Sequence, residues 1–310
     1  MSLRSAQAIT YQHTTPCPGS AKAQRRAARM SLLSSSLEAC PGLSEATIQL
    51  RLDMDEIEYA RLGKHVYIKF DPDAPADLKP PPPGFLAVSE DEMLSKFGIR
   101  TEDLEPRKSA FRAAMYRKDP EVWGESEKPA YAMAFRGSTL EMEDWLNNFQ
   151  QNSNAESDYY RRAVRLGNSV AESKAINDIQ MVGHSLGGGL ASAAQGGSGS
   201  LASTFNSAML HPETVKRDSR LADRTNAEAE KILAYHVDGE IVTTKQETGL
   251  TSLFSGPAVG IRKVVPPASA NATPEDLHAM DEVIESIEAQ KARNEAKLKT
   301  CLASKQNAQP

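Results

Sequence analysis

"IQMVGHSLGGGLASAA", residues 179–194, joins a short apolar run to Gly-His-Ser and then to a string of glycines and alanines. Glycine lowers helix stability by about 1 kcal/mol relative to alanine, so three in succession at a helix start point to a requirement for close approach. Two phosphate-binding readings fail. No lysine follows Gly187–Gly189 as a Walker loop demands, and Gly187-x-Gly189 is followed by Ser192 where the dinucleotide pattern needs a third glycine. Gly183-His184-Ser185-Leu186-Gly187 instead fits G-x-S-x-G. With a strand before it and a helix after it, that pattern predicts a nucleophile elbow presenting the Ser185 hydroxyl. Gly188, Gly189 and Ala191 would let the helix pack closely on the sheet behind the turn.

Working outward, "YAMAF" (131–135), "IQMV" (179–182), "LASTF" (201–205) and "KILAYHV" (231–237) read as short buried strands. "SDYYRRAVRLGNSVAE" (157–172) is amphipathic, with Tyr160, Ala163, Val164, Gly167 and Ala171 on one side. Strands alternating with helical patterns predict an α/β fold, a mostly parallel sheet flanked by helices on both faces. Upstream, "SEATIQLRLDMDEIEYARL" (44–62) has a helical stripe of Ile48, Leu52, Ile57 and Leu62, and "HVYIKF" (65–70) reads as extended. The prolines of "DPDAPADLKPPPPGF" (71–85) make a stiff connection. Three parts are therefore expected: an N-terminal extension over 1–84, a catalytic domain over 85–297 and a polar tail over 298–310. Thr273 caps the last helix with Pro274 in its first turn, and Leu277, Met280, Ile284 and Ile287 form its apolar stripe.

The 310 residues carry a net charge of −5, which offers no general attraction to nucleic acid or an anionic membrane. No apolar run reaches the roughly 18–20 residues of a membrane-spanning helix, and "MSLRSAQAIT" lacks the apolar core of a secretory signal. These features predict cytoplasmic synthesis without a signal peptide, with export by a signal-independent route as the further expectation. The scattered Cys17, Cys40 and Cys301 predict a reducing compartment and no disulfide framework. Residues 1–37 contain no acid and several arginines, the composition of a transit peptide or of a disordered or docking arm.

"AFRGS" (134–138), "DWLNN" (144–148), "GHSLGGGLA" (183–191) and "TFNS" (204–207) occur in the order and spacing of class 3 lipases, and the chain resembles that family of α/β-hydrolases. "LGKHVYIKF…PPPGF" upstream and "YHVDGEIVT…VPPA…LHAMDEVI" downstream resemble a bacterial subgroup that includes phospholipase effectors of type VI secretion systems. The resemblance implies an α/β-hydrolase fold that cleaves lipid carboxylic esters through an acyl-enzyme, without metal or organic cofactor. A phospholipase A-type reaction, transient membrane contact and an immunity or secretion-apparatus partner are its finer implications. The alternatives are an intracellular triacylglycerol lipase or esterase and an inactive hydrolase-fold interaction module.

An oxyanion needs aimed donors. The elbow assigns one to the backbone amide of Leu186, and the resemblance implies Ser138 as the second. Arg136 and Asp144 are expected to pair and hold that loop, with Trp145 as a packing anchor. Six histidines compete for the role of base. His13 and His65 precede the expected catalytic domain, His184 should point away from the serine in an elbow, and His236 lies in a strand. His211 remains a minor candidate, and His278 is favoured by the chain order Ser…acid…His. A helix starting at Pro274 would turn His278 away from the core, whereas one starting near Ala279 would leave it on the incoming loop. For the acid, Asp238 directly follows a strand, while Glu240-Ile241-Val242 aligns with the family's Asp-Ile/Pro-Val; both stay open. Either carboxylate would orient the imidazole and stabilise its protonated form.

Overall fold

The computed structural model describes residues 20–33, 40–124, 128–138, 153–211, 213–220, 223–247 and 258–306. Among these, the strands are β1 (Phe85–Ala87), β2 (Ala113–Lys118), β3 (Tyr131–Phe135), β4 (Ile179–His184), β5 (Leu201–Phe205), β6 (Ile232–Val237) and β7 (Ile261–Val265). The helices are α1 (Ala21–Leu33), α2 (Ser44–Phe70), α3 (Glu90–Phe97), α4 (Thr101–Leu104), α5 (Pro120–Trp123), α6 (Ser153–Glu172), α7 (Leu186–Ser198), α8 (Glu213–Asp218), α9 (Ile241–Glu247), α10 (Pro274–His278) and α11 (Met280–Gln306).

The seven strands form one sheet in simple sequence order. β1–β2 and β2–β3 pair antiparallel, and every pair from β3 to β7 is parallel. Right-handed crossovers that always step in one direction put their helices on one face. Ala163 and Val164 of α6, Leu190 and Ala194 of α7, Val215 of α8 and Ile241 of α9 share one apolar cluster with the Met133, Phe135 and Met181 side chains. That leaves the opposite face to be covered by the two ends of the chain. Ile57, Leu62 and Val66 of α2 and Val283 and Ile287 of α11 cover it, packing on Ala132, Ala134, Val182, Phe205 and Tyr235. Burying each such aliphatic side chain contributes about 1.5–3 kcal/mol.

The expected α/β architecture is therefore present, but α2, which precedes residue 85, is integral to it. α2 shares its core with the sheet, so packing shows no break at residue 84. "HVYIKF" is the last part of α2 and not an extended segment. Leu62 and Val66 lie on one helical face, and their burial against the sheet overrides the β propensity of that composition. The buried stripe runs through Leu50, Met54 and Ile57, whereas Ile48 is exposed. At the other end α11 continues to Gln306 with Leu298 buried, so residues 298–306 are helix rather than a polar tail.

The cysteine expectation is also corrected. Cys40 and Cys301 form a disulfide across a sequence separation of 261. Separation along the chain concealed the pair; the packing of α2 against α11 brings the two ends together, and Leu50, Met54 and Leu298 surround the bridge. Cys17 lies outside the described residues. In the basic N-terminal arm, α1 docks through ion pairs from Lys22 to Asp119 (2.6 Å) and from Arg25 to Glu58 (3.0 Å).

Candidate active site

β4 ends at His184, and Ser185 forms the turn into α7 with φ 56° and ψ −128°. A non-glycine residue rarely adopts positive φ, so the surrounding contacts must hold it there. The Ser185 amide donates to Phe205 O at 3.1 Å, and its carbonyl accepts from Gly188 N and Ala208 N, each at 2.9 Å. Glycines make the turn sterically feasible: a Cβ on Gly183 would collide with the Gly187 carbonyl, and one on Gly187 with the Phe135 carbonyl. The glycines thus bring three backbone segments together around one serine.

His278 lies on the short helix α10, which ends at an extended Ala279 before α11 begins at Met280. The two sequence readings of this region are thus both present in part. Thr273 caps and Pro274 opens a helix, but the long apolar helix restarts after His278. That break lets Leu277 and Met280 stay in the core while His278 is buried facing the elbow. His278 Nδ1–H donates to Glu240 Oε2 at 2.6 Å. With Nδ1 protonated, the neutral ring carries its lone pair on Nε2.

Glu240 is fully buried and also accepts from the amides of Val242 (2.9 Å) and Thr243. Burial alone would raise its pKa. The hydrogen bond and charge of His278, joined by the Thr243 hydrogen bonds, outweigh that and hold it at about 2. Asp238 is exposed on the preceding turn, its amide bonded to Val265 O. Of the two carboxylates, Glu240 is the one that the chain brings to His278.

Ser185 Oγ and His278 Nε2 are both buried without a hydrogen-bond partner among the described residues. Both line one cavity of about 270 Å³, together with Ser138, Tyr67, Ile68 and Met280. Two unsatisfied polar atoms facing a shared cavity are costly unless a substrate uses them. Leu186 opens α7, so its amide has no acceptor four residues back within the helix and points outward from the positive end of the helix dipole. Ser138 is half-buried at the end of the β3 loop.

His184 does not point away from this site. Its Nε2–H donates to the His278 carbonyl at 2.7 Å, and the two rings lie 4.7 Å apart. Nδ1 is then the acceptor and receives a hydrogen bond donated by the Tyr67 hydroxyl at 3.1 Å. Burial, aided by the nearby His278 charge, lowers the His184 pKa to about 3, which keeps this ring neutral. Tyr67 in turn accepts from the Gly137 amide, and burial raises its own pKa. Asn206 adds a second tether. Its Nδ2 donates to the carbonyls of Leu277 (3.0 Å) and His278 (3.2 Å), and its Oδ1 accepts from the Val237 amide (2.9 Å).

The other histidines have separate partners. His65 bridges the Tyr116 hydroxyl and the Lys79 carbonyl, and His236 Nδ1 meets the Thr243 hydroxyl. His211 is exposed and accepts from the Glu213 amide. His13, Asp144 and Trp145 lie outside the described residues. Arg136 donates to Ala110 O at 3.1 Å. Sequence reasoning missed Tyr67 and Asn206. The "TFNS" motif marks the segment of Asn206, whereas Tyr67 lies in "HVYIKF", whose β-rich composition hides that it belongs to α2.

Residues 58–284 match the family model described as a Tle-like phospholipase domain. That region begins inside α2, before the boundary expected at residue 84, and reaches Ile284 just beyond His278. Over 173 residues the chain is 34% identical to an extracellular phospholipase A1 of Serratia liquefaciens, which covers 55% of this chain. The chain spans about half the length of that relative, 50%.

Proposed function

The chain belongs to the Tle-like phospholipase family, and from that premise we propose that it hydrolyses a carboxylic ester of a glycerophospholipid through an acyl-enzyme on Ser185. The observation that carries this reading is the pair of unpartnered atoms, Ser185 Oγ and His278 Nε2, on one cavity, with Glu240 behind the imidazole.

In this mechanism Ser185 Oγ attacks the ester carbonyl carbon while its proton passes to His278 Nε2. Glu240 stabilises the imidazolium and fixes the ring. The oxyanion of the tetrahedral intermediate accepts hydrogen bonds from the Leu186 amide and from Ser138. As the intermediate collapses, the C–O bond to the lysophospholipid breaks and His278 returns the proton to the departing alkoxide. Water, deprotonated by His278, then releases the fatty acid and regenerates Ser185. Tyr67, His184 and Asn206 act as positioning residues that hold the His278 backbone.

Export to an oxidising compartment is part of the proposal, supported by the Cys40–Cys301 disulfide and by the extracellular relative. The type VI effector role, with an immunity protein as partner, rests on the sequence resemblance. Among the described residues no helix is long and apolar enough to cross a membrane. Fatty-acid release from phospholipid vesicles by wild type, absent in Ser185→Ala, is the expected result. Cleavage confined to triacylglycerols or short soluble esters would contradict the phospholipase assignment.

A further inference from the structure

Lys64 of α2 and Asp281 of α11 form an ion pair. They are the two formally charged side chains among the described residues that line the cavity holding Ser185 and His278. Their side chains are 41% and 68% exposed, so the pair sits at the solvent rim while the reacting atoms lie buried within. Beside it, Ile68 and Met280 give the wall an apolar stretch suited to an acyl chain. The rim therefore carries one cation and one anion next to an apolar wall and an ester-cleaving centre.

We propose that Lys64 and Asp281 form a headgroup site for zwitterionic glycerophospholipids, with Lys64 taking the phosphate and Asp281 the ammonium of ethanolamine or choline. This rests on the phospholipase reading and names the substrate class within it. The chemistry is complementary: a compact ammonium meets the phosphate and a carboxylate meets the headgroup cation. In such a lipid the phosphate is only a few bonds from the scissile ester, so a headgroup at the rim is compatible with the ester at Ser185. An ion pair this exposed is only weakly held, so the two side chains exchange each other for a dipolar ligand at little cost. As a purely structural link between α2 and α11, the pair would affect all substrates alike.

The test measures initial rates on three lipids with the same acyl chains in mixed micelles: phosphatidylethanolamine, phosphatidylglycerol and diacylglycerol. Ratios are taken within each variant, so a change in folded fraction cancels. Lys64→Gln is expected to lower both phospholipid rates about fivefold relative to diacylglycerol, and Lys64→Arg to keep the wild-type ratio. Asp281→Asn is expected to lower the phosphatidylethanolamine rate about fivefold relative to phosphatidylglycerol. Ratios that stay within about twofold of wild type in both neutral variants would overturn the headgroup site while leaving the phospholipase reading intact. A wild type that cleaves diacylglycerol but neither phospholipid would overturn both.

Discussion

Glu240 accepts the Nδ1 proton of His278 at 2.6 Å and is fully buried, whereas Asp238, two residues earlier, is exposed on a turn. Glu240→Gln should therefore lower kcat by roughly 10³–10⁴, the cost of losing the charge that fixes the tautomer in comparable triads. Asp238→Asn should stay within about twofold of wild type, since an exposed change away from the site has small effects. Steady-state rates on one phospholipid decide between them. The same carboxylate makes an acid-stability prediction. Its folded pKa of about 2 lies below the ordinary 4.5, so its stabilisation is complete above pH 4.5 and fades as pH falls toward 2. The stability gap between wild type and Glu240→Gln should shrink across that window in thermal melts.

Asn206 holds two carbonyls of the histidine loop and one amide of β6 from a single buried side chain. Asn206→Ala should destabilise the fold by about 2–4 kcal/mol, because the three buried groups lose their partner. Denaturant unfolding reads that loss. The kcat should fall as well, and Asn206→Asp should recover little because a carboxylate cannot donate to the carbonyls.

Glu56 lies beneath the sheet-facing side of α2, where its Oε1 accepts from Ser203 at 2.8 Å. Burial pushes its pKa up to about 8, with the Ser203 hydrogen bond opposing. A raised carboxyl pKa gives stability that is complete below the unfolded value of 4.5 and is lost as pH rises to about 8. Glu56→Gln, which mimics the neutral acid, should gain on wild type progressively through that range and hold a constant advantage above it. Melting temperatures across the range check the sign.

Cys40, just before α2, and Cys301, near the far end of α11, tie together the two helices that cover one face of the sheet. Cys301→Ser should cost about 2–4 kcal/mol. Reduction of wild type should produce the same loss, and reduction of the variant should add nothing.

Much of this organisation was legible in the sequence because it rests on local patterns. G-x-S-x-G between a strand and a helix marked the elbow, and alternating strand and helix signals gave the parallel sheet from "YAMAF" to "KILAYHV". What escaped is long-range. α2 read as an appendage because one sequence does not show that crossovers on a single face leave the other bare. The Cys40–Cys301 bridge and the reach of Tyr67 to His184 follow from that same covering helix. The sequence does not choose between Asp238 and Glu240 for a different reason: an intervening Gly239 at φ 84° turns the chain, and only its path decides which carboxylate enters the core.

The most direct measurement is active-site labelling with a fluorophosphonate followed by peptide mass mapping. One adduct is expected on Ser185 in wild type and none in Ser185→Ala, with labelling slowed by at least about a hundredfold in His278→Ala, as follows from loss of a general base. Phospholipid hydrolysis by a wild-type protein that takes no label at Ser185, or that survives Ser185→Ala unchanged, would contradict it.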